Sequence, residues 1–348
     1  FMFSVLCFMT AISGVSATSY DTSKINAAYS KVVEYYKNNN NLNNADKILA
    51  VESLGLEAES NQFDTSSADL SSTSLSKKIV TEVLLGVDPT EDKKTLESQI
   101  DENGNVEGSW GASSDVWTLY ALYVTSSEKT NLIANKLNDE LAASSVCGYE
   151  WGGTYYADYD TTGWVIEGLA VVNKEKYATT INKAIDYIKN NTTMTTTGWV
   201  TADNVDTQSQ VLEGMFAYDT NALLNDSYTV HPVDCLLNTQ LSDGSFPSGY
   251  NAEYTTAEVA KTLGTYKNGS VIIKAKKAYD KMMNPEQPDN TKPAQPTDTK
   301  KDSQSTNKVE TTNQKTTSVK TGDETNVVIF VSLSMVSGGL FLVLRKEY

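Results

Sequence analysis

A repeat of 46 to 48 residues restricts how this chain can fold more than any other feature of its sequence. Four ten-residue segments align, starting at Ser113, Asp160, Asp206 and Tyr254, which lie 47, 46 and 48 residues apart. Each has Ser, Thr or Asp in its first two positions, which we expect to cap a helix, and continues with apolar residues at helical spacing. A period of this length indicates a stack or a ring of similar units.

Each unit is predicted to be a helical hairpin. A second amphipathic stretch follows each capped helix, and it is clearest from Tyr177 to Ile188, where the apolar residues share one face. A loop that contains glycine and an aromatic residue precedes each capped helix. The four loops are 107–110, 151–153, 197–199 and 240–246.

Four more helices are predicted upstream, over 25–37, 45–56, 74–86 and 90–100, and with the eight downstream they make six hairpins. The apolar faces of six hairpins can be covered in an open solenoid with polar caps or in a closed ring. Neither end helix is polar on both faces, which favours the ring. The sequence therefore predicts an all-α domain, an (α/α)6 toroid of helical hairpins, over residues 18–283.

The segments on either side of this domain have other compositions. Residues 1–17 are predicted to be a signal peptide, because the initial apolar run ends at Val15-Ser16-Ala17 with small residues at the −3 and −1 positions. Residues 284–317 are mostly Pro, Thr, Lys, Gln, Asn and Asp, and such a segment cannot bury enough apolar surface to offset the entropy of ordering. We expect it to be a disordered, wall-spanning linker.

Residues 318–348 are predicted to be a sorting signal. The apolar stretch 327–344 is long enough for a transmembrane helix, and two basic residues follow it. The preceding pentapeptide resembles a sortase motif with Ser-Val in place of Leu-Pro, and it consists of Ser318, Val319, Lys320, Thr321 and Gly322. The resemblance implies that sortase cuts after Thr321 and joins the chain to the peptidoglycan of a Gram-positive bacterium. The alternative is a plain single-pass membrane anchor, and both place the domain outside the cell, secreted and anchored to the wall or the membrane.

Charge and cysteine content limit the classes of partner. The net charge is −16 and the one arginine lies in the C-terminal tail, so the clustered basic residues of a nucleic-acid site are missing. Two cysteines, Cys147 and Cys235, remain after the signal peptide is removed. They are compatible with one disulfide or with two buried thiols.

The loop 240–246 and the helix start at Thr255 and Thr256 resemble the repeat of the terpene cyclase and protein prenyltransferase α/α-toroid superfamily. This superfamily includes squalene-cyclase-like bacterial surface proteins and the helical domain of the intrinsic factor and transcobalamin corrinoid carriers. The resemblance covers 101–283 well and the earlier helices only by continuity. It implies that the capped helices form an inner ring and that the loops before them gather at one mouth, and it says little about function.

Two activities of this superfamily can be compared with the residues present. The zinc of a protein prenyltransferase is held by Asp, Cys and His on inner helices, but His231, Asp234 and Cys235 lie at the start of a predicted outer helix. We therefore expect no metal. Class II terpene cyclases use an aspartic acid as proton donor. Asp160 matches that donor in its short motif, yet Asp206 occupies the same repeat position, so an N-cap is predicted to explain both.

A polysaccharide lyase or glycosidase is the third enzyme alternative, since paired carboxyl groups can act as acid and base. Glu167 and Glu213 occupy equivalent repeat positions, which is typical of a solvated face or a structural bond. The folded part also lacks the arginine that commonly binds uronates. The candidate carboxyl groups are those of Asp160, Glu167, Asp206, Glu213 and Glu258.

Aromatic and amide side chains are concentrated at the predicted mouth, and flat rings with polar edges suit sugars, corrinoids and peptides. Trp110, Trp151 and Phe246 recur with the repeat and are predicted to be packing wedges. The predicted ligand-binding residues are Tyr155, Tyr156, Tyr159, Asp160, Trp164, Gln208, Gln210, Tyr250 and Tyr254.

The sequence thus predicts a surface-anchored ligand-binding or adhesion module for an extracellular small molecule, glycan or peptide, with no cofactor. A corrinoid is one candidate ligand. The corrinoid carriers close their ligand under a C-terminal β domain, however, and no strand-rich segment follows Met283. An extracellular enzyme remains the alternative.

Overall fold

The computed structural model of the protein describes residues 20–59, 71–192, 204–225, 228 and 230–285. The predicted signal peptide, the loop 197–199 and the sorting signal with its transmembrane segment lie outside these residues, as does all but the start of the predicted linker. Among the helices of these ranges, none combines the length and the hydropathy needed to cross a bilayer.

The described residues form eleven helices and one two-stranded sheet, which confirms the prediction of a helical domain. The upstream helices predicted to begin at residues 45 and 90 do so, and those predicted to begin at residues 25 and 74 each begin two residues earlier. The elements are α1 (Ser23–Asn38), α2 (Ala45–Ser53), α3 (Ser72–Leu84), α4 (Thr90–Ser98), α5 (Ala112–Val124), α6 (Thr130–Ser144), β1 (Cys147–Trp151), β2 (Thr154–Asp158), α7 (Tyr159–Asn191), α8 (Val205–Leu224), α9 (Pro232–Leu237), α10 (Ala252–Asn268) and α11 (Val271–Met283).

Two of these helices are bent rather than divided by loops. Asn173 in α7 has φ −164° and ψ 90°, and Asp219 in α8 has φ −156° and ψ 98°, both outside the helical region. The amphipathic stretch from Tyr177 to Ile188, predicted as a separate helix, is the part of α7 that follows its bend. The helical hairpin of this unit is therefore closed by a single non-helical residue.

The N-caps of three repeat helices lie earlier than predicted. Asp158, Asn204 and Asn251 accept the N–H group three residues further on, at 2.7, 3.2 and 3.1 Å, and so cap α7, α8 and α10. Asp160 and Asp206 are the second residues of their helices. The prediction that capping explains both of these aspartates is therefore wrong, although a carboxylate in a first turn still interacts favourably with the helix dipole.

Six helices pack side by side in an order that returns to its start. The order is α2, α3, α5, α7, α8, α10 and again α2. Lys47, in the first turn of α2, forms an ion pair with Glu253, in the first turn of α10, at 2.7 Å. Lys77 of α3 similarly reaches Asp46 in the first turn of α2 at 2.9 Å. The starts of α2 and α10 therefore lie at the same end, while α1, α4 and α6 pack against members of this set.

The helices α7 and α8 approach each other closely, and this approach depends on two glycines. A Cβ atom on Gly163 would lie 2.4 Å from the carbonyl oxygen of Gln210, and one on Gly214 would lie 2.2 Å from the carbonyl oxygen of Gly163. Both distances are far inside van der Waals contact. The two backbones can therefore pack this closely only because neither residue has a side chain.

We expect Gly163→Ala to lower the free energy of unfolding by about 1 to 3 kcal/mol, because the added methyl group forces apart two packed helices. Gly249→Ala is the matched control, since a Cβ atom there would meet no heavy atom within 4 Å. Urea unfolding followed by circular dichroism measures both. Equal stability of the two variants would contradict the close crossing.

Candidate functional site

The strands β1 and β2 form an antiparallel hairpin, whereas the sequence predicts only the loop 151–153 in this part of the chain. Gly152 and Gly153 connect the strands with φ of 57° and 77°, and a turn with two positive φ values matches the twist of a two-residue hairpin. Tyr149 pairs with Tyr156, and Trp151 pairs with Thr154. Because side chains alternate along a strand, these four residues lie on one face of the hairpin.

Two pairs of aromatic rings lie together on this face. The rings of Tyr149 and Tyr156 stack with centroids 5.5 Å apart and an angle of 20°. The Trp151 ring packs against Trp110, from the loop before α5, at 5.0 Å and 38°. A backbone hydrogen bond of 2.8 Å from Glu150 to Trp110 ties that loop to the hairpin. We call Trp110, Tyr149, Trp151 and Tyr156 the aromatic face.

Two of the four side chains of the aromatic face are exposed to solvent. Trp151 is 52% exposed and Tyr156 is 43% exposed, whereas the base of the hairpin is anchored by the buried Cys147. The prediction that Trp151 is a packing wedge is therefore wrong, and that for Phe246, which is buried, is confirmed. The exposed tryptophan instead adds to a surface that a ligand can reach.

A hydrogen bond explains why Trp151 and Phe246 differ. The hydroxyl oxygen of Thr256 accepts from the backbone N–H of Phe246 at 3.0 Å, and that of Thr162 accepts from Cys147 at 2.9 Å. Thr162 and Thr256 are both third residues of their repeats. Cys147 therefore takes the place of the buried Phe246 in its own unit, and the hairpin that follows it projects from the repeat.

Three other predicted binding residues lie near the start of α7. Tyr155 is exposed on the opposite face of the hairpin, where its hydroxyl donates to Glu140 at 3.0 Å. Tyr159 and Asp160 are partly exposed in the first turn of α7. Burial raises the pKa of the Tyr149 hydroxyl, and the charges of Asp158 and Asp160 raise it further. This hydroxyl therefore stays protonated as a donor on the aromatic face.

The remaining predicted binding residues lie on α8, on α10, on the loop before α10 and further along α7. Tyr250 is 60% exposed and its ring lies 6.1 Å from that of Tyr254. Gln208 and Gln210 are buried, so a ligand at the surface does not reach them. Trp164 packs edge to face on Trp117, at 5.9 Å.

The eighth residues of the four repeats form a polar layer between the packed helices. They are Tyr120, Glu167, Glu213 and Lys261, each at most 3% exposed. Tyr120 donates to Glu167 at 3.0 Å, and Lys261 lies 3.8 Å from Glu213. The alternative of a solvated face for Glu167 and Glu213 is therefore wrong, and the structural-bond alternative agrees with these contacts.

The fifth residues of the repeats form the neighbouring layer, which consists of Trp117, Trp164, Gln210 and Glu258. Gln210 donates to Glu258 at 3.2 Å, and the Lys261 ammonium lies 3.0 Å from the same carboxylate. The Lys261 ammonium also lies 5.5 Å from the centre of the Trp117 ring, within range of a cation–π interaction. A single lysine thus connects both layers.

The charges in these two layers do not balance if every group is ionised, because three carboxyl groups share one ammonium. Burial raises the pKa of Glu213, more than the Lys261 charge lowers it. Burial also raises the pKa of Glu167, whose oxygens accept from Ser270 at 2.6 Å and from Tyr120. Burial lowers the pKa of Lys261, but the carboxylates of Glu213 and Glu258 outweigh it and the pKa rises. Glu213 and Glu167 are therefore held towards the protonated form.

Acid and base chemistry by these carboxyl groups would require a substrate to reach them. Glu167, Glu213 and Glu258 are each at most 3% exposed. Their arrangement explains how the helices are held in register, and it offers a ligand no open approach.

The residues considered for zinc are occupied by structural roles. His231 Nδ1 accepts the N–H of Val233 at 3.2 Å and so caps α9. Cys235 is buried, and it is not bonded to Cys147. Over the described part of the chain, no three His, Cys, Asp or Glu side chains are placed to hold a metal ion.

We expect Lys261→Met to lower the free energy of unfolding at pH 7 by about 3 to 5 kcal/mol, because it leaves the Glu258 carboxylate buried without a counter-ion. Adding Glu258→Gln to this variant should restore much of the loss, since the amide is neutral. Chemical unfolding of the wild type and the variants measures this coupling. Equal stability of Lys261→Met and the wild type would contradict it.

The Asp206 carboxyl group predicts a dependence of stability on pH. Burial raises its pKa to about 6 in the folded protein, against about 3.9 in an unfolded chain. The folded state therefore binds the proton more tightly than the unfolded state does. The stabilisation that results is complete below pH 4 and is lost as the pH rises through 6. Asp206→Asn should be less sensitive to pH between 4 and 7, by roughly 3 kcal/mol in the free energy of unfolding. Parallel pH profiles of the variant and the wild type would contradict this prediction.

Known proteins offer no match to this chain: no family model, no curated protein and no solved structure resembles it closely enough to be assigned.

Proposed function

We propose that this protein is a cell-surface-anchored α/α toroid that binds a glycan through its aromatic face. The toroid, the signal peptide and the sortase-type anchor are parts of this proposal. The anchor and the signal peptide are supported by the sequence alone. The toroid is supported by the cyclic packing order of six helices and by the repeat that resembles the toroid superfamily.

The observation that carries the glycan proposal is the exposure of stacked aromatic rings on a hairpin. Sugars present flat apolar faces edged by hydroxyl groups, and aromatic rings bury such faces while losing little side-chain entropy. Trp151 and Tyr156 are held by Trp110 and Tyr149, at 5.0 and 5.5 Å, so that they are oriented before a ligand arrives. Preorganisation of this kind lowers the entropic cost of binding.

The acidic surroundings favour a neutral glycan over the other candidate ligands. Asp158 and Asp160 lie beside Tyr149, and the whole chain carries a net charge of −16. A corrinoid with its phosphate would be repelled by these carboxylates. A peptide typically binds along a groove or an open sheet edge, whereas the rings here form an open face.

The alternative of an extracellular lyase or glycosidase would draw on Glu167, Glu213 and Glu258, which converge between the helices. The burial of these side chains favours a role in holding the helices together. A binding module accounts for the exposed rings and does not require the buried carboxyl groups to reach a ligand.

We expect the double variant Trp151→Ala and Tyr156→Ala to lose at least tenfold in affinity for the bound glycan, since one lost stacking contact of about 1.4 kcal/mol corresponds to a factor of ten. Tyr187→Ala is the control, because Tyr187 is an exposed tyrosine on α7. Sedimentation with insoluble chitin, cellulose, starch and peptidoglycan measures binding. Failure of the wild type to bind any glycan in this set or on a glycan array would overturn the proposal, as would undiminished binding by the double variant.

A further inference from the structure

We propose that a second binding site, for a single neutral sugar ring or a polyol of that size, lies in a cleft between α1, α2 and α10. This second site is separate from the aromatic face and shares no residue with it. The cleft has a volume of about 280 Å³, near the lower end of the range for small-molecule sites. Its lining residues are Tyr35, Tyr36, Asn38, Asn39, Asn40, Asn41, Lys47 and Glu253.

The local sequence explains why asparagines surround this cleft. Leu42 is the one apolar residue between 38 and 44, and it is buried, so it fixes the loop to the body while the asparagines beside it stay at the surface. Asn39 donates to the backbone oxygen of Tyr35 at 2.9 Å, and Asn44 caps α2. Capping therefore accounts for the two ends of the run, and it does not account for Asn41, which lies at the cleft.

The charges at the cleft indicate a neutral ligand. Lys47 forms an ion pair with Glu253 at 2.7 Å and donates to the side-chain oxygen of Asn43 at 3.2 Å. The lysine and the glutamate thus neutralise each other, and the remaining polar groups of the cleft are amides and tyrosine hydroxyls. Neither an anionic nor a cationic ligand would find an unopposed charge among the lining residues.

The polar groups of the cleft match hydroxyl groups in kind. A side-chain amide both donates and accepts hydrogen bonds, as a sugar hydroxyl does, whereas a carboxylate or an ammonium can do only one of these. Burial and the charges of Glu253 and Asp243 raise the pKa of Tyr35, so its hydroxyl stays a donor. The Tyr35 ring is held edge to face by Tyr36 at 5.3 Å and 89°. A rigid ring beside several amides suits the stacking of one sugar ring.

The test uses the full-length chain with glucose and N-acetylglucosamine as probes and with glucosamine and glucuronate as charged comparators. Saturation-transfer NMR detects each sugar on the protein. We expect transfer to the neutral sugars, weaker transfer to the charged ones, and a loss of at least fivefold in the variant Asn40→Ala and Asn41→Ala. The control is Asn131→Ala and Asn182→Ala, which replaces two exposed asparagines on other helices.

The aromatic-face variant, Trp151→Ala and Tyr156→Ala, separates this site from the proposed function. If that variant keeps its transfer to the monosaccharides, while Asn40→Ala and Asn41→Ala loses it, the cleft is the site. Loss of transfer in the aromatic-face variant would overturn the proposal of a site in the cleft, as would unchanged transfer in the asparagine variant. Either result would leave the glycan proposal intact. The absence of transfer from the wild type to either neutral sugar would also overturn the cleft. Because Asn40 and Asn41 are exposed, a thermal melt suffices to establish that their variant is folded.

Discussion

The placement of one ammonium group among three carboxyl groups constrains the interior of this protein more than any other interaction. Lys261 contacts Glu258 directly and lies near Glu213, while Glu167 is bonded to Tyr120 and Ser270. Apolar residues tolerate many packings of similar energy, but buried charges tolerate only arrangements in which they are paired or neutralised. Because Glu167, Glu213 and Lys261 occupy equivalent positions of successive repeats, a slip of one helix would leave a charge alone. The polar layers therefore restrict the helices to one register.

The helical part of the fold could be predicted from the sequence because it depends on local pattern. Apolar spacing placed α1 to α4 within a few residues of their bounds, and the repeat identified the equivalent helices downstream. The N-caps of α7, α8 and α10 lie earlier than predicted because Asp160, Asp206 and Thr255, whose side chains are also able to cap a helix, stand in the first turns. The sequence predicts two helices over α7 but does not locate their junction at Asn173, because apolar residues continue at helical spacing on both sides of it.

The candidate site was harder to predict, since it depends on exposure rather than on residue type. Trp151 and Phe246 recur at comparable places before their helices, and recurrence alone indicated that both were packed. In the structure Phe246 is buried and Trp151 is exposed, because Cys147 occupies the buried position in the unit that contains Trp151. The alternation from Tyr149 to Tyr156 around two glycines is a hairpin pattern. It was overlooked because the helical repeat on either side dominated the interpretation. Gln208 and Gln210, chosen for their polarity, are buried.

The first helix packs against the last of the six, and this contact has a consequence for the order of assembly. Lys267 of α10 donates to Asn26 of α1, which lies 241 residues earlier, and Tyr20 donates its backbone N–H to Leu224. A growing chain that has not yet reached α10 must keep the matching faces of α1 and α2 uncovered, because no nearer segment replaces it. Contacts between residues so distant in the chain form late and slow folding. Completion of this domain therefore waits until nearly its whole length has been synthesised.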